Sequence, residues 1–275
     1  MGSTTVGKKI LEGCAQSLKK VTLEMGGNDS AIVCSDVDVP SIIPKVAMAA
    51  FANTGQICMA IRRVYIHESI YGYVLSELVK FVEEKLVVGD GFEEGTVLGP
   101  ISHASQFKRV KEYLADIKRS KLKIATSSTK ALVREGFFVS PVVLDNPPDD
   151  SRAVVEELFG MFHLQDYALG NGEMLTIMAA PILPLLKWSD EEDVIRRANN
   201  TEHGLGASVW SNDMVQAERI SRQLEAGTIW INTHGELEPN VAFACHKSSG
   251  YGAACGIEGM KSYCKVQSIF NRPSL

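Results

Sequence analysis

Apolar positions along this chain recur in two periods, and the switches between them mark out its elements. Apolar side chains fall at helical spacing over Ile42–Phe51, and again at positions 74, 75, 78, 79, 82 and 86 of Tyr71–Leu86, which predicts two amphipathic helices. Lys8–Leu18, Ser105–Ile117 and Asp213–Leu224 read the same way, and Ser189–Asn199 opens with Ser189 and Glu192 in a capping-box-like pattern. Short apolar runs at Lys20–Leu23, Ser30–Cys34, Val64–His67, Leu122–Ala125, Val142–Leu144, Ala207–Trp210 and Gly227–Asn232 read as strands. Helical and strand segments alternate, so the expected fold class is α/β with an open, mostly parallel sheet.

Bulk composition narrows the setting. The chain has 275 residues, 45% of them hydrophobic, enough for one large or two smaller cores. A formal net charge of −5 without a basic stripe argues against nucleic acid or an anionic membrane as partner. Six cysteines show no paired C-x-x-C spacing, which fits a reducing compartment better than a disulfide scaffold. The segment Met1–Lys9 lacks the apolar core of a signal peptide, and no run is long enough to span a bilayer. A cytoplasmic location without a metal site is expected.

Candidate chemistry concentrates at Phe51-Ala-Asn-Thr-Gly-Gln-Ile-Cys58. The segment leaves a helix, breaks at Asn53-Thr54-Gly55 and ends in a cysteine. Main-chain N–H groups beside such a turn favour a thiolate and can hold an oxyanion. Read alone, Cys58 competes with an ordinary buried cysteine. Glu24, at a strand end beside Gly26-Gly27, is either a general base or part of a surface turn. Ser3 or Thr4 can cap the first helix, whose N-terminus is an anion site or an ordinary helix start. The pair Glu156-Glu157 reads equally as a solvated turn.

Taken together, these segments carry a resemblance. Phe51, Asn53, Gly55, Gln56 and Cys58 reproduce the F-x-N-x-G-Q-x-C signature of the aldehyde dehydrogenase superfamily. Gly2–Gly7 resembles its G-S-T-x-x-G segment, Leu23–Gly27 its L-E-L-G-G, Glu156–Gly160 its E-E-x-F-G, and Gly227–Asn232 its G-T-x-W-x-N. The resemblance implies NAD- or NADP-dependent oxidation of a small-molecule aldehyde to a carboxylic acid. Cys58 would be the nucleophile, forming a thiohemiacetal and then a thioester, and Glu24 the base for the deacylating water. Retention of that Glu favours hydrolysis over transfer to coenzyme A. Gly2 and Ser3 would lie beside the cofactor's pyrophosphate, Glu157 on the nicotinamide ribose hydroxyls and Phe159 near the ring. Family members form homo-oligomers.

Departures from the family shape the remaining expectations. The pattern begins within the cofactor-binding domain, so residues 1–22 are expected to be a remnant of that Rossmann-like domain. Residues 23–243 would form the catalytic domain, and 244–275 a return to the cofactor domain with the start of an oligomerisation strand. The family's upstream oxyanion-hole Asn and most of its dinucleotide fold have no counterpart, which implies a truncated chain of impaired turnover. Residues 161–180 match nothing in the family and read as a lid insertion or as translated intron, the second being preferred. Ala244-Cys245 replaces two family glycines, and strain in that turn is expected. Three readings follow: an aldehyde dehydrogenase, a noncatalytic fragment or oligomerisation partner, and a residual cysteine-dependent esterase.

Overall fold

The computed structural model describes residues 2–127, 135–156 and 180–273. Helix α1 (Thr4–Ala15) is followed by the two-residue strand β1 (Leu23–Glu24) and by β2 (Asp29–Val33). Helix α2 (Val39–Phe51) then leads through a single 3-10 turn (Ala52–Gly55) to β3 (Ile61–His67). Helices α3 (Tyr71–Lys85) and α4 (Ala104–Arg119) precede β4 (Val142–Asp145), the short α5 (Arg152–Val155) and β5 (Ile182–Trp188). Helix α6 (Glu191–Asn199), β6 (His203–Gly204), β7 (Gly206–Trp210), α7 (Met214–Ser221) and β8 (Thr228–Ile231) come next. The remainder holds four two-residue strands, β9 (Phe243–Ala244), β10 (His246–Lys247), β11 (Gly250–Tyr251) and β12 (Ala253–Ala254), and helix α8 (Gly256–Ser262).

Six strands form one sheet in the order β4-β5-β3-β2-β7-β8, and every pairing in it is parallel. The strands are mostly apolar because both faces are covered, with Asp29 at the start of β2 and Arg62 and Arg63 in β3 as buried exceptions. Side-chain alternation divides the core accordingly. Ala31, Val33, Val64, Ile66 and Leu185 pack on one face with α2 and α3, through Ile43, Val46, Val74 and Leu78. Ile32, Tyr65, Leu186 and Val209 pack on the other with α6 and α7, through Val194, Ile195, Ala217 and Ile220.

Several boundaries move. The first helix is capped by Ser3, one of the two caps expected, whose Oγ accepts the Val6 N–H. It therefore starts at Thr4, ahead of the amphipathic run that begins at Lys8, and it ends at Ala15 rather than Leu18. Asp190, not Ser189, caps α6, accepting the Asp193 N–H at 2.7 Å. The strand expected at Lys20–Leu23 shrinks to β1. Leu122–Ala125 forms no strand, and Ile124 makes only an isolated antiparallel bridge to Leu144. Residues 266–270, within the segment expected to start an oligomerisation strand, pair with no other strand of this single chain, and Val266 and Phe270 are both 95% exposed. Neither Ala244 nor Cys245 has a positive φ, so their replacement of glycine costs no left-handed backbone.

Candidate active site

Helix α2 delivers the chain to the site and the following turn reverses it. Phe51, fully buried, anchors the helix end in the core. Asn53, Thr54 and Gly55 then take φ values of 51°, 59° and 73°, a left-handed run that no helix continues. Gly55 meets that demand without a Cβ, which would lie 3.0 Å from Ala180 O. Asn53 Nδ2 donates to Gln56 O at 3.2 Å, and Gln56 Nε2 returns a bond to Asn53 O at 3.0 Å. Gln56 Oε1 accepts the Ser102 N–H, and Thr54 Oγ1 donates to Gly99 O at 2.7 Å, tying the turn to the segment before α4. Arg62, buried beside it, donates to Gly55 O at 2.7 Å and Ile57 O at 3.2 Å. The motif residues thus build the turn that presents Cys58.

Cys58 is half-buried, and its own N–H and that of Met59 lie against the sulfur and favour the thiolate. Burial opposes them most strongly, followed by the charge of Asp29, with a smaller push from Glu24, and the thiol rises above its ordinary value. The N–H groups do what the sequence led one to expect, but they are outweighed. At neutral pH the sulfur holds its proton, so attack needs an acceptor for it.

Glu24 belongs to β1, which pairs antiparallel with β11 so that Glu24 stands opposite Gly250. Its carboxylate raises both Cys58 and Cys245, so one charge reaches both sulfurs. The Gly-Gly pair after it has a physical reason. A Cβ on Gly27 would collide with Asp29 Oδ1 and sit 2.8 Å from Leu205 Cβ and 3.1 Å from Cys58 O. Only glycine lets the segment carrying Glu24 lie this close to the Cys58 loop. The main chain of Glu24 also accepts the Gly2 N–H at 3.2 Å, which joins the start of α1 to the same place.

Of the six residues singled out by sequence, Gly2 is joined to Glu24 through the main chain, the Glu24 charge reaches Cys58, and Ser3 caps α1. Glu157 and Phe159 lie outside the described residues. Two groups at the site were not anticipated. Asp29 is 1% exposed, and its sequence signal was a charge opening an otherwise apolar strand. His234 lies past β8 with its Nε2 3.8 Å from Asp29 Oδ2, and its isolated position after a strand carried no usable signal.

The aldehyde dehydrogenase family model matches residues 1–163 and 177–269. The chain belongs to the aldehyde dehydrogenase family. A putative aldehyde dehydrogenase of Gibberella moniliformis is 35% identical over 98% of the chain and 52% of its own length. The phenylacetaldehyde dehydrogenase of Pseudomonas fluorescens is 36% identical over 98% of the chain and 49% of its own length. A solved aldehyde dehydrogenase from Bacillus cereus, in complex with NAD+, is 32% identical with a TM-score of 0.85, over 98% of this chain and 50% of that one. The chain therefore spans about half the length of the relatives it matches. Among its described residues, no helix is long and apolar enough to cross a membrane.

Proposed function

We propose that this chain carries the nucleophile and the general base of an NAD- or NADP-dependent oxidation of a small-molecule aldehyde to a carboxylic acid. What supports the reading is convergence on one sulfur: two main-chain N–H groups on Cys58 Sγ, and the Glu24 carboxylate within electrostatic reach. Cys58 gives up its proton to Glu24 or solvent, and its sulfur bonds the carbonyl carbon. The carbonyl oxygen becomes an oxyanion facing the Cys58 and Met59 N–H groups. A bound nicotinamide dinucleotide would supply the hydride acceptor for that carbon. Glu24, once it has passed any proton from Cys58 to solvent, takes a proton from the water that cleaves the thioester, freeing the acid and the Cys58 thiolate, which is reprotonated.

The start of α1 fits the diphosphate of such a cofactor. Ser3 Oγ caps Val6, and the first helical turn carries no acidic side chain to repel an anion. We assign Gly2 and Ser3 to that end, and Glu157 and Phe159 to the nicotinamide ribose and ring. We also assign residues 1–22 and 244–275 to the cofactor side and 23–243 to catalysis, within a homo-oligomer of the cytoplasm. The family match skips residues 164–176 and includes 161–163 and 177–180, which supports an insertion narrower than 161–180.

A second reading, cysteine-dependent ester hydrolysis, draws on Cys58 and Glu24 alone and needs no dinucleotide. The test is absorbance growth from NAD or NADP with an aldehyde, beside cleavage of an activated ester without cofactor, for wild type and Cys58→Ala. Dinucleotide reduction abolished in Cys58→Ala supports the oxidation, and ester cleavage alone supports the hydrolase. Either activity surviving intact in Cys58→Ala overturns Cys58 as nucleophile.

A further inference from the structure

Behind the Cys58 loop a line of hydrogen bonds runs through groups that the proposed reaction does not use. Trp210 Nε1 donates to Ser208 Oγ at 3.0 Å, and both residues are 0% exposed. Ser208 Oγ lies 3.0 Å from His234 Nδ1, and His234 Nε2 lies 2.7 Å from Met59 O. The directions are forced. An indole N–H only donates and a carbonyl only accepts. Nε2 therefore carries the ring proton, Nδ1 accepts from the Ser208 hydroxyl, and the Ser208 oxygen accepts from Trp210. Burial pushes His234 down to about 4, so a single ring proton is the state at neutral pH. The ring is held from the side by Trp230, 4.6 Å away between centroids.

The far end of this line is the residue after Cys58. Met59 supplies one of the two N–H groups on the sulfur, while its carbonyl is held by His234. Arg62 holds the loop on the other side through Gly55 O and Ile57 O. The Met59 carbonyl lies one Cα beyond the Met59 N–H, so holding it restrains the two dihedrals of the residue that carries the donor.

We propose that His234 is a positioning residue for the nucleophile, fixing the Met59 carbonyl so that the Cys58 and Met59 N–H groups stay on Sγ and on the oxyanion that forms beside it. The proposal rests on Cys58 being the nucleophile. It differs from a packing role against Trp230, which would depend on ring volume and not on the Nε2 proton.

The experiment is iodoacetamide alkylation resolved by peptide, read from neutral to alkaline pH on the full chain. Three substitutions separate the roles. His234→Phe keeps volume, His234→Gln places an amide donor near the Nε2 position, and His234→Asn places its amide near Nδ1 instead. Loss of the Met59 contact is expected to raise the Cys58 titration midpoint in His234→Phe and His234→Asn, and to slow neutral-pH alkylation on the order of tenfold. His234→Gln is expected to restore both toward wild type. The groups facing the site, Asp29 on β2, Glu24 on β1 and Cys245 beyond β9, are untouched in all three. Cys34, 1% exposed, reports folding in the same sample by staying unmodified.

If a ring substitution unfolds the chain, Ser208→Ala removes the donor to Nδ1 and is expected to move the midpoint the same way by less. Equal effects of Gln and Asn, or no movement of Cys58 in folded variants including Ser208→Ala, would overturn the proposal. Failure of the underlying reading shows separately, as turnover that survives Cys58→Ala.

Discussion

At Cys58 the main-chain N–H groups compete with burial and with two carboxylates, Asp29 and Glu24, and the resting thiol keeps its proton. The two acids are separable by experiment because only one is proposed to do chemistry. Asp29→Asn removes the carboxylate with the larger effect on the sulfur, so the alkylation midpoint of Cys58 is expected to fall in the folded variant. Glu24→Gln is expected to lower the same midpoint while cutting aldehyde or ester turnover by about a hundredfold, the usual scale of a lost general base. A variant with an easier thiolate and slower turnover separates the base role from charge alone; turnover that follows thiolate fraction would refute it. Residue types and spacing made Cys58 and Glu24 legible in the sequence. Asp29 and His234 were not, because what matters about them is which groups they are buried against.

The elements around the site are joined by approaches too close for a side chain. Gly250 in β11 has φ 152°, and a Cβ there would collide with Leu23 O and lie 3.0 Å from Cys245 Cβ. Gly250→Ala is expected to destabilise the chain by roughly 2–4 kcal/mol, read as a lower urea midpoint with little change in slope. Because Gly250 stands opposite Glu24, turnover is expected to fall further than the fraction unfolded accounts for. At this scale periodicity served well for the long helices and for five of the six sheet strands, while β5, with Pro184 and Lys187 breaking its apolar run, was not read as a strand. It failed where a neighbour decides, as at Ile124, whose partner Leu144 gives it one bridge and no ladder. The exchange of Ser189 for Asp190 as helix cap has the same origin, since both can cap and only the incoming chain direction chooses between them.

For the whole molecule one buried ring shapes the upper part of the acid limb of stability. His234 has a folded value of about 4 against an ordinary 6.5. Between those values the unfolded chain binds the extra proton, so stability rises with pH through that window and is fully present above it. About 3 kcal/mol is expected to be lost on acidification from neutral pH to pH 4. Glu191, held below its ordinary value by Arg219, adds a further loss as pH falls through its own folded value. Denaturant melts across this range check the first window. His234→Phe, if folded, is expected to flatten the limb above pH 4, and an unchanged slope would remove His234 as its cause.

Local pattern determined most of what could be known before the fold. Helical and strand periods are set by backbone geometry over a few residues, so they survive in the sequence and specify an α/β chain with a buried parallel sheet. The motif at Phe51–Cys58 is legible for a related reason. Its Asn, Gly and Gln close a turn through contacts that are mostly a few residues apart. Tertiary structure alone decided that Gly27 would lie against the Cys58 loop. It also decided that burial and Asp29 would outweigh two N–H dipoles at the sulfur, and that a Trp–Ser–His line would reach Met59 from residues far along the chain. Desolvation and charge act through space, and a sequence records only the order of the groups, not which of them share a low-dielectric interior.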